Sequence, residues 1–268
     1  MKPSSSSDTL ASSVLAEIVQ HKLSEVEELR EHTARLEHEA FERKPSRDFK
    51  AALSAAQPAI IAESKKASPS RGVLVERYHP AFLAHAYEEG GAAAISVLTD
   101  RKFFQGSLHD LEAARAAGTL PVLRKDFTID RLQIYEAAAH GADAILLIAA
   151  VLNRQELEQF RLLAAELQMA SLVEVHDADE VQKAVDSGAE IIGVNNRNLA
   201  TFEVDLNTSV RLSYLLPAEV IKVSESGIFD RASIGQLSAA GFSAFLVGES
   251  LMRSGDPASS IRKLRGAT

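Results

Sequence analysis

Cysteine and tryptophan are absent from this chain of 268 residues. Without a thiol there can be no disulfide, no thiolate metal site and no cysteine nucleophile, and a cytoplasmic home is expected. No apolar run approaches the roughly 18 residues of a membrane span. The longest, Ala142 to Leu152, is broken by Asp143 and reads as a buried strand. The opening MKPSSSSDTL holds one lysine and no apolar stretch, so no secretory signal is expected. The eight histidines show no HExxH or paired-ligand spacing. No P-loop, GxSxG elbow or GxGxxG fingerprint occurs. Neither a metal nor a cofactor is expected. The net charge of −8 repels nucleic acid and anionic membrane alike, and basic residues are not interleaved with aromatics. What remains is an ordinary globular composition, with room for a local basic pocket that takes a small anion.

Ser4 to Ser7 form a polar tract expected to be disordered. A first helix is expected through Leu10, Val14, Leu15 and Ile18. A second opens at Ser24 and Glu27, the spacing of a capping box, and runs through Val26, Leu29, Leu36 and Ala40 to Lys44-Pro45. A third covers Ser46 to Ser54. Eight short apolar runs then recur: Ala59–Glu63, Ala94–Leu98, Pro121–Lys125, Ala144–Ile148, Ser171–Val175, Ile191–Asn195, Val220–Ser224 and Ala244–Gly248. Between them lie amphipathic segments such as Pro80–Glu89, Leu108–Ala117, Ile129–His140, Arg154–Leu167, Ala178–Ser187 and Arg231–Ala240. Gly90, Gly118, Gly141, Gly188 and Gly241 stand where a left-handed helix cap would return the chain to the next strand. Strand, helix, strand, eight times over, implies an α/β fold of parallel strands closed into a (β/α)8 TIM barrel. An open doubly wound sheet is the alternative. Residues 1–54 form an N-terminal extension, and residues 55–268 the barrel.

Buried barrel strands should read as unbroken apolar runs. Several here end instead in polar residues, at the end where the active sites of this fold converge. Strand 1 ends in Glu63-Ser64-Lys65-Lys66, with Glu63 and Lys65 on one face by alternation. Strand 3 ends in Arg124-Lys125-Asp126, strand 5 in Glu174-Val175-His176, strand 6 in Asn195-Asn196-Arg197 and strand 7 in Ser224-Glu225-Ser226. Two carboxylates and two lysines, Glu63, Glu174, Lys65 and Lys125, would face one cavity, a set suited to acid–base work near neutral pH. A lone charge at a strand end is as readily the first solvated loop residue. That reading, or a supporting ion pair, is preferred for Lys66, Arg124, Asp126 and Glu225. His176 is read as a loop histidine. Ser68, Ser226-Gly227 and Gly248-Glu249 follow strands 1, 7 and 8, and the loops after strands 7 and 8 are this fold's common phosphate site. The Glu249 side chain is expected to turn outward while its N–H binds. The same glycines also serve as turn punctuation.

Seven stretches together resemble the indole-3-glycerol phosphate synthase family. They are Ile61-Ala62-Glu63-Ser64-Lys65-Lys66-Ala67-Ser68-Pro69-Ser70, Ser96-Val97-Leu98-Thr99-Asp100 with Phe103-Phe104-Gln105-Gly106-Ser107, Leu123-Arg124-Lys125-Asp126-Phe127, Glu174-Val175-His176, Gly193-Val194-Asn195-Asn196-Arg197-Asn198-Leu199, Ser224-Glu225-Ser226-Gly227-Ile228 and Gly248-Glu249-Ser250-Leu251-Met252. The resemblance implies a carboxy-lyase of tryptophan biosynthesis. Its substrate would be 1-(2-carboxyphenylamino)-1-deoxyribulose 5-phosphate, and its products indole-3-glycerol phosphate, carbon dioxide and water. It implies Lys125 as general acid of ring closure and Lys65 as the group that binds the substrate carboxylate and donates a later proton. Glu63 and Glu174 are bases or lysine partners, undecided between them. Asn195 and Arg197 would orient the substrate and the lysine–carboxylate network, and Phe104, Phe127, Leu146 and Leu199 would form the slot for its ring. Ser68, Ser226, Gly227, Gly248 and Glu249 would hold the phosphate. The extension would cover the barrel mouth and exclude water. One departure is Ala138, where the family often has arginine, on a helix away from the mouth. The expected partner is the phosphorylated small molecule alone, with no nucleic acid and no membrane. The chain would be a monomer or weak homodimer that could associate with other tryptophan-pathway enzymes, and no fused second barrel is expected. The rival readings are another phosphosugar barrel enzyme, such as phosphoribosylanthranilate isomerase, and a barrel that only binds a phosphorylated metabolite.

Overall fold

A computed structural model describes residues 14–69, 71–199 and 201–267. The Ser4–Ser7 tract, Leu10 and Ser70 lie outside the described residues. Eight strands close a parallel barrel: β1 (Ala59–Ser64), β2 (Ala94–Leu98), β3 (Val122–Lys125), β4 (Ala144–Ile148), β5 (Ala170–Val175), β6 (Ile191–Asn195), β7 (Ile221–Glu225) and β8 (Ala244–Val247). Each strand pairs with its sequence neighbour, and β8 closes on β1 through Ala59–Ala244 to Ala62–Val247. The open doubly wound alternative is excluded by that closure. The apolar runs are strands because each is buried on both faces. Ile61, Leu123, Leu146, Leu172, Val223 and Leu246 fill the barrel interior. Ile60, Val97, Ile145, Val173, Ile192 and Phe245 point outward beneath the helices.

The surrounding helices include α4 (Pro80–Glu89), α6 (Leu108–Ala117), α7 (Arg131–Ala139), α8 (Arg154–Glu166), α9 (Ala178–Asp186) and α11 (Arg231–Ala239). Shorter helices α5 (Arg101–Phe104), α10 (Asn207–Leu212) and α12 (Glu249–Met252) sit in or after the loops, and α13 (Pro257–Arg265) ends the described chain. Gly141, Gly188 and Gly241 take positive φ as expected. Gly90 and Gly118 do not: the left-handed turn after α4 falls on Gly91 (φ 81), and Gly118 is extended. A two-strand ribbon, Ala67–Ser68 against Gly72–Val73, shapes the loop after β1.

Ahead of the barrel run α1 (Val14–Arg30), α2 (Thr33–Phe41) and α3 (Phe49–Ala55). The helix break expected at Ser24 is absent. Leu15, Ile18, Lys22 and Val26 form one buried stripe that carries α1 straight through Ser24, because burial of a continuous face outweighs a local capping preference. The extension divides between the two ends of the barrel. Val14, Leu15 and Ile18 of α1 line the cavity at the mouth. Phe49 and Leu53 of α3 instead join the barrel's interior cluster, and Arg47 bonds the Leu120 carbonyl just ahead of β3. Asp48 caps α3 by accepting from the Ala51 N–H. Among the described residues, no helix is long and apolar enough to cross a membrane.

Candidate active site

Alternation along the strands generates the site. Two residues beyond the interior Ile61, Leu123, Leu172 and Val223 stand Glu63, Lys125, Glu174 and Glu225. Each therefore faces inward at the C-terminal end of its strand. Asn195 is the Cα partner of Glu225, and Glu174 that of Ile148. One cavity at this mouth is lined by Glu63, Lys65, Lys125, Glu174 and Asn195. It is also lined by Arg197, Ser68, Phe104, Phe127, Leu146 and Leu199, and by Ser226, Gly227, Gly248 and Glu249. The structure thus brings together the whole set named from sequence.

It adds residues that sequence reading passed over. Glu225, for which a solvated strand end or a supporting ion pair is expected, is buried to 1% exposure, lines the cavity and pairs with Lys125, so the ion-pair reading holds and the solvated one does not. The expected apolar run stops at Ser224, one residue before the end of β7. Val223 faces the interior, so parity alone would have aimed Glu225 there. Gly193 makes its room: a Cβ at that position would come within 2.1 Å of Glu225 Oε1. Gly248 does the same for Glu63, whose Oε1 would lie 2.3 Å from an added Cβ. Arg71, from the loop after β1, also lines the cavity.

Lys125 Nζ lies 3.0 Å from Glu174 Oε2 and 3.5 Å from Glu225 Oε2. Burial alone would lower the lysine's pKa, but Glu174, Glu225 and Glu63 together outweigh it and hold the ammonium well above its ordinary value. The magnitudes agree. A charge pair at about 3 Å attracts by about 5 kcal/mol at an effective dielectric near 20, and burying one ion costs several kcal/mol. Burial would raise Glu174, yet Lys125 and then His176 hold it down at about 2, with Asn195 adding to their pull. Glu225 goes the other way. Burial, then the neighbouring Glu174 charge, raise it to about 8 against the pull of Lys125. Lys65 Nζ meets Glu63 Oε1 at 2.5 Å.

His176 sits behind Glu174 rather than in the cavity, with Nε2 3.5 Å from Glu174 Oε1 and Nδ1 3.0 Å from Glu180. Arg124 and Asp126 are buried ion-pair partners and not solvated loop ends: Arg124 bonds Glu136 at 2.8 Å and Asp126 at 3.4 Å. Lys66 is half-buried and does not line the cavity. The rings of Phe104 and Phe127 stand 6.1 Å apart and tilted by 36°, an aromatic pair on the wall of the cavity. Across the mouth, Ser226 and Gly227 both take positive φ, 67° and 78°, which turns the chain sharply after β7. A serine there is strained, and such strain concentrates at functional sites. The Glu249 side chain does not turn out into solvent. It reaches Arg253 at 3.2 Å, Arg71 at 3.5 Å and Arg197 at 3.9 Å. Arg197 does not touch the lysine–carboxylate group; its backbone N–H donates to the Asn195 side chain and its guanidinium to the Phe202 carbonyl. No cluster that could hold a metal ion occurs among the described residues.

Comparison with known proteins bears on this arrangement as a whole. A crystal structure of 3-hexulose-6-phosphate synthase superposes with a TM-score of 0.61 at 17% identity, covering 78% of this chain and 98% of that one, which shows the shared fold. The indole-3-glycerol phosphate synthase of Desulfotalea psychrophila is 49% identical over 256 residues, covering 94% of this chain and 98% of the relative. That of Albidiferax ferrireducens is 52% identical over 223 residues, covering 82% and 84%. The family model for indole-3-glycerol phosphate synthase matches residues 15–264, from the mouth-lining helix α1 to the last helix of the barrel. With matches of that extent, the chain belongs to the indole-3-glycerol phosphate synthase family.

Proposed function

We propose that Lys125 is the general acid of ring closure in the carboxy-lyase reaction of this family, a step of tryptophan biosynthesis. The observation that carries this reading is the buried Lys125 ammonium, set between Glu174 and Glu225 and opening onto an apolar slot. The ring carbon that bears the carboxylate attacks the ribulosyl carbonyl, whose oxygen gains negative charge. Lys125 supplies the proton. Carbon dioxide then leaves and restores the aromatic ring. The hydroxyl formed in the first step departs as water, with loss of a proton from the neighbouring carbon.

The second half needs an acid and a base. Lys65, at the same mouth, binds the substrate carboxylate and then protonates the departing hydroxyl. Glu174 accepts the final proton. Its carboxylate is held ionised chiefly by Lys125, so once Lys125 has given up its proton the basicity of Glu174 rises. Glu63 is engaged by Lys65 at 2.5 Å, which favours Glu174 for the role. Glu225, raised to about 8, carries a proton at neutral pH and can return one to Lys125. Phe104, Phe127, Leu146 and Leu199 receive the carboxyphenyl ring, and Asn195 orients Glu174. Ser68, Ser226, Gly227, Gly248 and the Glu249 N–H take the phosphate, with Arg71 and Arg197 at the rim. Helix α1 excludes water above them. Residues 1–54 act as the extension and 55–268 as the barrel of one catalytic unit.

The test is indole formation, followed by its fluorescence, from the carboxyphenylamino-deoxyribulose phosphate. Lys125→Ala is expected to fold and to lower kcat by about 10²–10⁴-fold, the range of a general acid. A folded variant with near wild-type kcat would move the acid elsewhere, first to Lys65. A well-folded wild type without activity would refute the reading.

A further inference from the structure

Helix α1 buries Leu15, Ile18, Lys22 and Val26 as one stripe, so a lysine stands where the pattern calls for an apolar residue. Lys22 is 1% exposed. Its ammonium touches Asp126 Oδ1 at 2.8 Å, Asp100 Oδ2 at 2.9 Å and Glu25 Oε2 at 2.8 Å. Asp100 and Asp126 are buried too, and come from the loops after β2 and β3. Asp100 Oδ2 has no hydrogen-bond partner of its own, so Lys22 is the cation that answers its charge. Asp126 is shared, with Thr99 at 2.5 Å and Arg124 at 3.4 Å.

Each aspartate has a second task. Asp100 Oδ1 accepts from the backbone N–H groups of Phe103 at 2.7 Å and Phe104 at 3.3 Å. Asp126 Oδ1 accepts from that of Phe127 at 2.8 Å. The carboxylates that hold Lys22 therefore also fix the backbone of the two facing rings. One turn before Lys22, Ile18 lies over the same cavity. Replacing the ammonium by an apolar group would leave Asp100 buried and uncompensated, a cost relieved by protonating it or by moving the loops apart.

We propose that Lys22 is a positioning residue for the aromatic end of the site: it couples the docking of α1 to the setting of the Phe104–Phe127 slot. The inference rests on the reading that this slot takes the carboxyphenyl ring. The phosphate loops after β7 and β8 make no contact with Lys22, so its effect is confined to one end of the substrate.

The experiment is a double-mutant cycle of Lys22→Met and Phe104→Ala, read as KM and kcat, with inorganic phosphate as competitive inhibitor of each variant. Lys22→Met is expected to raise KM about tenfold or more and to leave the phosphate inhibition constant within about twofold. Phe104→Ala is expected to add little in the Lys22→Met background, because the slot is already lost. Lys22→Arg should restore part of the affinity. An unchanged KM, full multiplicative effects in the double variant, or a parallel loss of phosphate binding would each overturn the role of Lys22. If Phe104→Ala alone left KM unchanged, the slot reading itself would fall. Where Lys22→Met does not fold, Lys22→Gln with Asp100→Asn removes one charge of each sign, keeps the Oδ1 acceptor for Phe104 and carries the same test.

Discussion

At the mouth, Glu63, Glu174 and Glu225 stand against Lys65 and Lys125. Fully ionised, that group carries one negative charge too many for a site that must admit a carboxylate and a phosphate. A proton on Glu225 removes the excess, and burial followed by the Glu174 charge raises its pKa to about 8. The linkage sign follows. In the unfolded chain this glutamate titrates near 4.5 and in the folded chain near 8, so between those values the folded state holds a proton the unfolded state has released. Its contribution to stability is complete below about pH 4.5 and is lost as pH rises through about 8. Glu225→Gln has no such titration. Its melting temperature is expected to gain on wild type progressively from pH 5 to pH 8, while kcat falls by about tenfold or more for want of the exchangeable proton. Calorimetry at the two pH values checks this, and an equal gap at both would overturn the protonated state. Glu174 runs the opposite way. Lowered to about 2, it stabilises above the ordinary carboxylate range and loses that contribution as pH falls toward 2.

The elements were legible to very different degrees. All eight strands were readable, because short apolar runs rich in β-branched residues or leucine recur between amphipathic helical segments at a regular spacing. Helices α4, α6, α7, α8, α9 and α11 were readable to within a residue or two from period and caps; Asp177 and Asn153, for example, cap α9 and α8 with their side chains. The longest helix, α1, was not: the segment expected from Ser24 to Lys44 breaks between Arg30 and Thr33. The short helices α5, α10 and α12 were not, since four to six residues are too few to show a period. The site set was legible through the family resemblance and strand-end polarity. Glu225, Arg71 and Lys22 lay outside it: the first because a charge at a strand end reads as readily as a supporting ion pair, the second because its loop has no period. Lys22 was hidden because a lysine in an apolar stripe gives no sign of the aspartates that meet it from distant loops. Ser24 was over-read. It lies inside α1 and makes no cap, so Ser24→Ala is expected to leave stability within about 0.5 kcal/mol of wild type. A genuine cap would cost about 1 kcal/mol. Urea melts distinguish the two.

The barrel as a whole separates its two ends by task, as the fold predisposes it to do. The C-terminal end carries the positive-φ turn at Ser226-Gly227, the lysine–carboxylate group around Lys125 and the Phe104–Phe127 pair beside buried Asp100 and Asp126. The opposite end is closed by the segment from Arg43 to α3, and Asp143 is its hub. Its side chain accepts from the Val122 N–H at 2.9 Å, the Arg47 N–H at 2.8 Å and Ser46 Oγ at 3.2 Å, and it pairs with Arg115. Arg43 and Arg47 extend the net to the carbonyls of Ala142 and Leu120, both at 2.6 Å. These contacts tie the extension to the starts of β3 and β4, a full strand length from Lys125. Asp143→Ala leaves the Arg115 guanidinium and two backbone donors without their acceptor. It is expected to cost about 3–5 kcal/mol of stability, the scale for breaking a buried ion pair. At a temperature where the variant stays folded, kcat should remain within about twofold of wild type, because no group at the mouth touches this net. Lys125→Ala is the mirror case for catalysis: kcat is lost even where the variant is fully folded, while removing the cation beside Glu174 also lowers the melting temperature. Measuring kcat and melting temperature for both variants tests the division directly. A large fall in kcat for a fully folded Asp143→Ala would mean that the extension transmits strain from one end of the barrel to the other, and that the two ends do not act independently.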